Sequence, residues 1–165
     1  LLPGDETDIS REYVVTALPT RHTIDSVGFV VHHRRHKLKP EFLDLSGPEI
    51  RDLKNSGTEV TTEMRLPIVA YTGDTNPRGL DENPVFYDAK ILISEMTFVA
   101  PEHRKEKIHK HGHMHIDDYR QRAERFNNEL IIAAHLSTRY NVAQVKRFVQ
   151  KALPDGLGGR LKLWL

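Results

Sequence analysis

The sequence predicts an α/β protein built on one sheet, on three observations. Apolar, β-favouring runs recur and each is closed by turn chemistry; stretches of helical period separate the later ones; and 165 residues at 38% hydrophobic and 28% charged composition suffice for one domain with a real core. From residue 90 onward the order is strand, helix, strand, helix, strand. Such alternation places ligands at the carboxyl ends of the strands. There are no internal repeats.

Composition narrows the classes further. No apolar run approaches the length of a bilayer-crossing helix, and LLPGDETDIS carries neither a basic nor an apolar leader region, so neither a membrane span nor a secretory route is indicated. The absence of cysteine excludes disulfides and thiolate metal sites; any transition metal must use His and carboxylate ligands, and the default compartment is the cytoplasm. Lys and Arg number 24 against 23 Asp and Glu, so overall charge says little about partners. The ten histidines say more, because eight fall in two tracts, HHRRHKLK and residues 103–115, while His22 and His135 stand alone.

Along the chain, residues 12–18 (EYVVTAL) read as a strand, and His22 sits in the loop that follows. A second strand covers 27–32. Residues 33–63 show no strong period and read as an insertion, with a short helix flagged by Ser46-Gly47-Pro48 before it and Gly57 after it. Arg34, Arg35, Lys37 and Lys39 make this stretch either a solvated excursion or a basic arm able to neutralise phosphates. The run 67-PIVAYTGDT-75 then reads as a buried strand ending abruptly in Gly-Asp-Thr, which leaves Asp74 at a rim. Residues 90–98 (KILISEMTF) form another strand with Glu95 near its end. The charged tract 101–115 reads as a loop, 116–127 as a helix, and 129–134 as a strand ending at His135. A helix over 142–153, capped by Asn141 and stopped before Pro154, leads to a last strand at 160–164.

His22, Asp74, Glu95 and His135 thus all lie at or just past strand ends. Neighbouring strands would bring them to one edge, and imidazole with carboxylate is the donor set zinc takes when no thiolate is present. Two metals bridged by a carboxylate suit attack on a phosphodiester. Two imidazoles and one aspartate are too few to fill two such ions.

Five stretches in order, RHTIDSVGF, AYTGDT, LISEMTF, KHGHMHIDDY and AAHLSTRY, resemble successive motifs of tRNase Z, the metallo-β-lactamase-fold endoribonuclease that trims tRNA 3′ ends, in its short form. The resemblance implies the C-terminal half of an αββα sandwich spanning 1–165, with a short arm at 33–63. It implies two zinc ions, with manganese as the alternative, held in part by His22, Asp74 as the bridge, and His135. Glu95 matches the acid of the HEAT motif, and His113 the His of HST, a pair that would protonate the leaving 3′ oxygen; His113-Met114-His115 replaces HST, so His115 competes for that role. The implied reaction cuts the 3′ trailer from precursor tRNA and leaves a 3′-hydroxyl, with Arg34, Arg35, Lys37 and Lys39 in the arm, and Arg104, Lys105, Lys107 and Lys110 near the acid, meeting phosphates of the substrate. The family's HxHxDH is absent from the chain. The expected partners are therefore precursor tRNA and either a second copy or the missing N-terminal half. The alternatives are another binuclear hydrolase of this fold, or a catalytically inert RNA-binding or dimerisation module.

Overall fold

Seven strands lie side by side in the order in which the chain makes them, in a computed structural model that describes all residues from Leu1 to Leu165. β1 (Glu6–Asp8), β2 (Tyr13–Pro19), β3 (Val27–Leu38) and β4 (Thr61–Tyr71) pair antiparallel in succession. β5 (Ile91–Glu95), β6 (Leu130–Ala134) and β7 (Leu161–Leu163) then extend the sheet parallel to β4. Because β2 and β4 are both antiparallel to β3, they run the same way. The carboxyl ends of β2, β4, β5 and β6 therefore share one edge of the sheet.

Helix α1 (Gly47–Asn55) lies between β3 and β4. The pairs α2 (Pro77–Asp81) with α3 (Val85–Asp88), and α4 (Lys105–Lys110) with α5 (Ile116–Gln121), make the next two crossovers, and α6 (Val142–Ala152) the last. Their apolar sides join the sheet in one core cluster: Val30, Ala70, Leu92, Ile131 and Ala133 from the strands meet Leu80, Phe86, Ile116, Tyr119, Val145 and Val149 from the helices. The alternate strand positions are apolar as well, Phe29, Val31, Val69, Ile93 and Ile132, but only half-buried, and Tyr71 and Trp164 are exposed. Strands apolar on both faces are the pattern of a sheet meant for cover on both sides. No helix is long and apolar enough to cross a membrane.

The stretch 33–63, which shows no hydrophobic period, is continuous with the sheet. β3 does not stop at residue 32 but runs to Leu38 against β4, which begins at Thr61 rather than at 67, and the two project as a ribbon tipped by α1. At its base Arg34 and Arg65 lie directly opposite each other, a like-charge pairing that costs energy on its own. Three carboxylates relieve it: Arg34 meets Asp8 at 2.6 Å and Glu63 at 3.2 Å, and Arg65 meets Glu6 and Glu63, each at 2.7 Å. The register shifts between Val31 and His32, opposite Pro67. A proline has no N–H to give the ladder, so a bulge is where a strand tolerates it.

Two further readings need correction. The tract 101–115 is not all loop, since it folds into α4, and the helix read over 116–127 ends at Gln121 and passes through a 3-10 turn at Ala123–Arg125. β1, α2 and α3 are additional elements, α2 opening with an Asn76 cap and Pro77 at its first position. α1 begins as expected, with Ser46 and Glu49 forming a reciprocal cap.

One close approach fixes how the crossover packs. A Cβ at Gly28 would lie 2.7 Å from Phe86 Cζ and 2.8 Å from the Tyr71 carbonyl oxygen. Backbone cannot give way cheaply there, so Gly28→Ala should lower the unfolding free energy by about 1–3 kcal/mol. Chemical denaturation monitored by circular dichroism measures this, and an unchanged midpoint would contradict the packing described.

Candidate metal and acid–base site

At the shared edge, loop meets loop. Asp74 follows β4 through Gly73, which holds a left-handed turn (φ 61°) with no room for a Cβ, 2.8 Å from the Val27 carbonyl oxygen. The loop after β2 is stitched to it: Arg21 N–H donates to Thr75 Oγ1 at 3.0 Å, Asn76 N–H to Arg21 O at 2.7 Å, and Ser26 Oγ to Asp74 O at 2.9 Å. These bonds bring His22 beside Asp74, although the two are far apart in sequence. His22 is pressed from its other side by Gly112, where a Cβ would come within 2.6 Å of His22 Cα.

His135 ends β6 with a positive φ of 54°, an uncommon conformation for a residue with a side chain and one that concentrates at functional sites. Its Nδ1 lies 3.3 Å from Asp74 Oδ1. Asp74 therefore stands between the two isolated histidines of the sequence. Two donor groups result, in each of which the ligand atoms lie within 4.8 Å of one another: His22, Asp74 and His113, and Glu95, His113 and His135.

The chemistry of these donors fits a borderline divalent ion. Imidazole nitrogens and carboxylate oxygens without sulfur are the set that zinc and manganese accept. Nε2 of His22 is buried with no hydrogen-bond partner. A polar atom in that position costs free energy unless something coordinates it. His22, Asp74 and His135 would hold the metal, and His113 stands within reach of both donor groups.

Glu95 is engaged differently. Its buried carboxylate accepts from Thr75 N–H at 2.6 Å, Met114 N–H at 3.1 Å and the Thr97 hydroxyl, and its Oε1 lies 3.2 Å from His113 Nδ1. With its oxygens so occupied, Glu95 orients rather than coordinates. A carboxylate at Nδ1 keeps the proton there and leaves Nε2 of His113 facing the site. The hydrogen bond to Glu95 raises the His113 pKa above the ordinary imidazole value, against the opposing effect of burial, and the negative charges of Glu95 and Asp74 add to the rise.

His113 and His115, one residue apart, differ in burial. His115 is inside the core: Nδ1 accepts from Asp117 N–H at 3.2 Å, capping α5, so Nε2 carries the proton and donates to the Ala100 carbonyl at 2.9 Å. Both nitrogens are spent on structure. Of the other expected residues, Arg34 is tied to Asp8 and Glu63, Lys39 lies 3.7 Å from Glu59, Arg35 donates to His33 Nδ1, and Lys37 is exposed without an ion pair. All four sit on or next to the ribbon, away from the donor groups. Residues 33–63 hold six basic and six acidic side chains, so the arm as a whole is neutral.

Sequence reasoning missed Thr97. Its hydroxyl lies 3.1 Å from His135 Nδ1 and 3.4 Å from His113 Nδ1 while bonding Glu95, which links both histidines to one carboxylate. The signal was available, since Thr97 is the last letter where the motif reads HEAT and this chain reads Ser-Glu-Met-Thr.

A mixed sheet with helices packed on it and His and Asp donors at its edge defines an α/β protein of the metallo-β-lactamase fold. Solved structures agree. The metallo-β-lactamase fold protein YhfI from Bacillus subtilis superposes with a TM-score of 0.57 at 15% identity, over 99% of this chain and 51% of its own. Human tRNase Z, short form, gives 0.51 at 17% identity, over 94% and 41%. Among curated proteins, tRNase Z TRZ1 of Arabidopsis thaliana is 39% identical over 160 residues, 96% of this chain and 57% of the relative. The chloroplastic tRNase Z TRZ2 of the same plant is 32% identical over 157 residues, 92% and 43%. The chain spans about half the length of the curated relatives it matches. No protein-family model matches it.

Replacing the orienting acid should release His113. In Glu95→Gln, stripped of metal with chelator, the His113 imidazole should titrate at lower pH than in the unchanged chain, because the group that raises its pKa has lost its charge. Imidazole NMR titration reads this directly, and an equal or higher midpoint would refute the orienting role.

Proposed function

We propose that the chain is the C-terminal portion of a zinc-dependent endoribonuclease that cuts the 3′ trailer from precursor tRNA and leaves a 3′-hydroxyl on the tRNA. The observation that carries this is convergence: His22, Asp74 and His135, separated by up to 113 positions in the sequence, meet at one edge around Asp74. The tRNase Z names of the matched relatives supply the substrate class. His22, Asp74 and His135 would hold zinc, or manganese in its place, and two ions are expected once the remaining ligands of an HxHxDH are supplied.

An ion held there would supply Lewis acidity and an activated water. The chain's own residues do the rest. Asp74 holds His135 in place, Glu95 keeps the Nδ1 proton of His113, and His113 gives the proton at Nε2 to the departing 3′ oxygen. The raised pKa of His113 serves this role by keeping more of the imidazole in its acidic form near neutrality. The same shift adds stability that is fully present below the ordinary imidazole range and is lost as pH rises through the folded value.

Activity belongs to the assembled fold, either with the missing half or with a second copy as a homodimer, and its location is the cytoplasm. Half-buried Phe29, Val31, Val69, Ile93 and Ile132 support the need for a covering surface. The alternative of an inert binding module is favoured by the absence of HxHxDH, and zinc separates the two readings. This chain should retain zinc through dialysis against metal-free buffer and lose it in Asp74→Ala, as measured by atomic emission; no retention by the unchanged chain would favour the inert module. In the complete polypeptide, Asp74→Ala should reduce trailer cleavage by at least about a hundredfold, as removal of one preorganised charge at a catalytic centre does, while the far-ultraviolet circular dichroism stays unchanged. Cleavage at the original rate would overturn the assignment.

A further inference from the structure

Beside His113, and continuous with His22, a cleft of about 640 Å³ opens. Its size lies in the range of roughly 300–1,000 Å³ that holds small ligand groups. Arg104, Lys107 and Arg139 line it together with His103, His111 and the ring of Phe98, and no carboxylate does. In a chain with 23 acidic residues against 24 basic ones, that segregation needs a reason. Neighbouring cations are neutralised in place: Lys105, next to Arg104, meets Asp117 at 2.8 Å, and Arg120 meets the same acid at 3.2 Å. Arg104, Lys107 and Arg139 form no ion pair.

Aromatic rings shape the cleft around them. Phe98 forms the floor, with His103 edge-on at 5.1 Å, the Arg139 guanidinium 6.0 Å from its centroid, and the His113 ring at 6.2 Å. Tyr140 holds His103 through a hydrogen bond of 2.6 Å to Nε2, which fixes one wall. Unpaired cations converging on a polar cleft exert a field that draws anions, and guanidinium groups favour the oxygens of a phosphate.

We propose that this cleft is an anion subsite for a backbone phosphate of single-stranded RNA, on the leaving-group side of the bond that is cut. The side follows from the chemistry. An acid that protonates the departing 3′ oxygen stands next to the nucleotide that owns that oxygen, so a cationic cleft sharing His113 receives that nucleotide's own 5′ phosphate. The subsite rests on the nuclease reading for its side, but not for its chemistry: three free cations without a counter-charge bind phosphate whether or not the chain cuts.

The test is binding, which needs no turnover. A fluorescein-labelled single-stranded RNA hexamer is titrated by anisotropy across a salt series against this chain and against Arg104→Gln/Lys107→Gln/Arg139→Gln. Each phosphate contact on a single strand contributes a log–log salt slope of about 0.7. Losing the one phosphate that the three cations hold should therefore make the variant shallower by about 0.7 and bind more weakly, with its thermal unfolding unchanged. Equal slope and affinity would overturn the subsite. A second pair of titrations, in chelator, uses an acceptor-stem mimic with one neutral methylphosphonate on either side of the cleavage junction. Neutralising the 5′-side phosphate should erase most of the difference between the chain and its variant; erasure by the 3′-side replacement, or by neither, would overturn the assignment of side. Failure of the complete polypeptide to cut precursor tRNA, with the slope difference intact, would instead remove the nuclease reading and leave the anion cleft standing.

Discussion

The arrangement depends on one buried carboxylate. Glu95 ends β5 inside the protein and is held by the backbone of Thr75, the backbone of Met114 and the hydroxyl of Thr97, with the ring of His113 beside it. An uncompensated carboxylate in that place would be costly, and four donors from three separate segments offset the cost. The same bonds tie the loop after β4 to the loop before α5. Removing the charge would loosen both at once, and with them the relation between Asp74 and His113.

Strand direction does the remaining positioning. A protein with a purely antiparallel sheet would scatter its strand ends over two edges. Here two reversals return β2 to the direction of β4, and parallel pairing then keeps β5 and β6 in line, so that four carboxyl ends collect where loops are free to carry function. His135 stores some local strain at its positive φ, and its contacts to Asp74 and Thr97 hold it there.

How much of this was legible depended on burial. Strands 12–18, 67–71, 90–95 and 129–134 announced themselves because each has a side packed on the core, and the helix after Asn141 because Val145 and Val149 keep helical spacing against it. The ribbon was illegible for the converse reason. Residues 32–38 and 61–67 lie beyond the core, so nothing selects for alternation, and what stabilises them is cross-strand hydrogen bonding and the ion pairs around Arg34 and Arg65. Among the candidate residues, His22, Asp74 and His135 were readable as strand-end groups. The separate duties of His113 and His115 were not, because two histidines one residue apart look alike until one is seen to cap a helix from inside the core.

One consequence of the ribbon follows from its continuity. β4 runs without a break from Thr61, at the arm, to Tyr71, three residues short of Asp74, and its eleven residues extend for about 36 Å. Paired with β3 on both sides of the single bulge at Ile68 and braced midway by Arg65, it is a ruler rather than a tether. A contact made at the far tip therefore lies at a set distance from the edge that carries Asp74, because one strand spans both places.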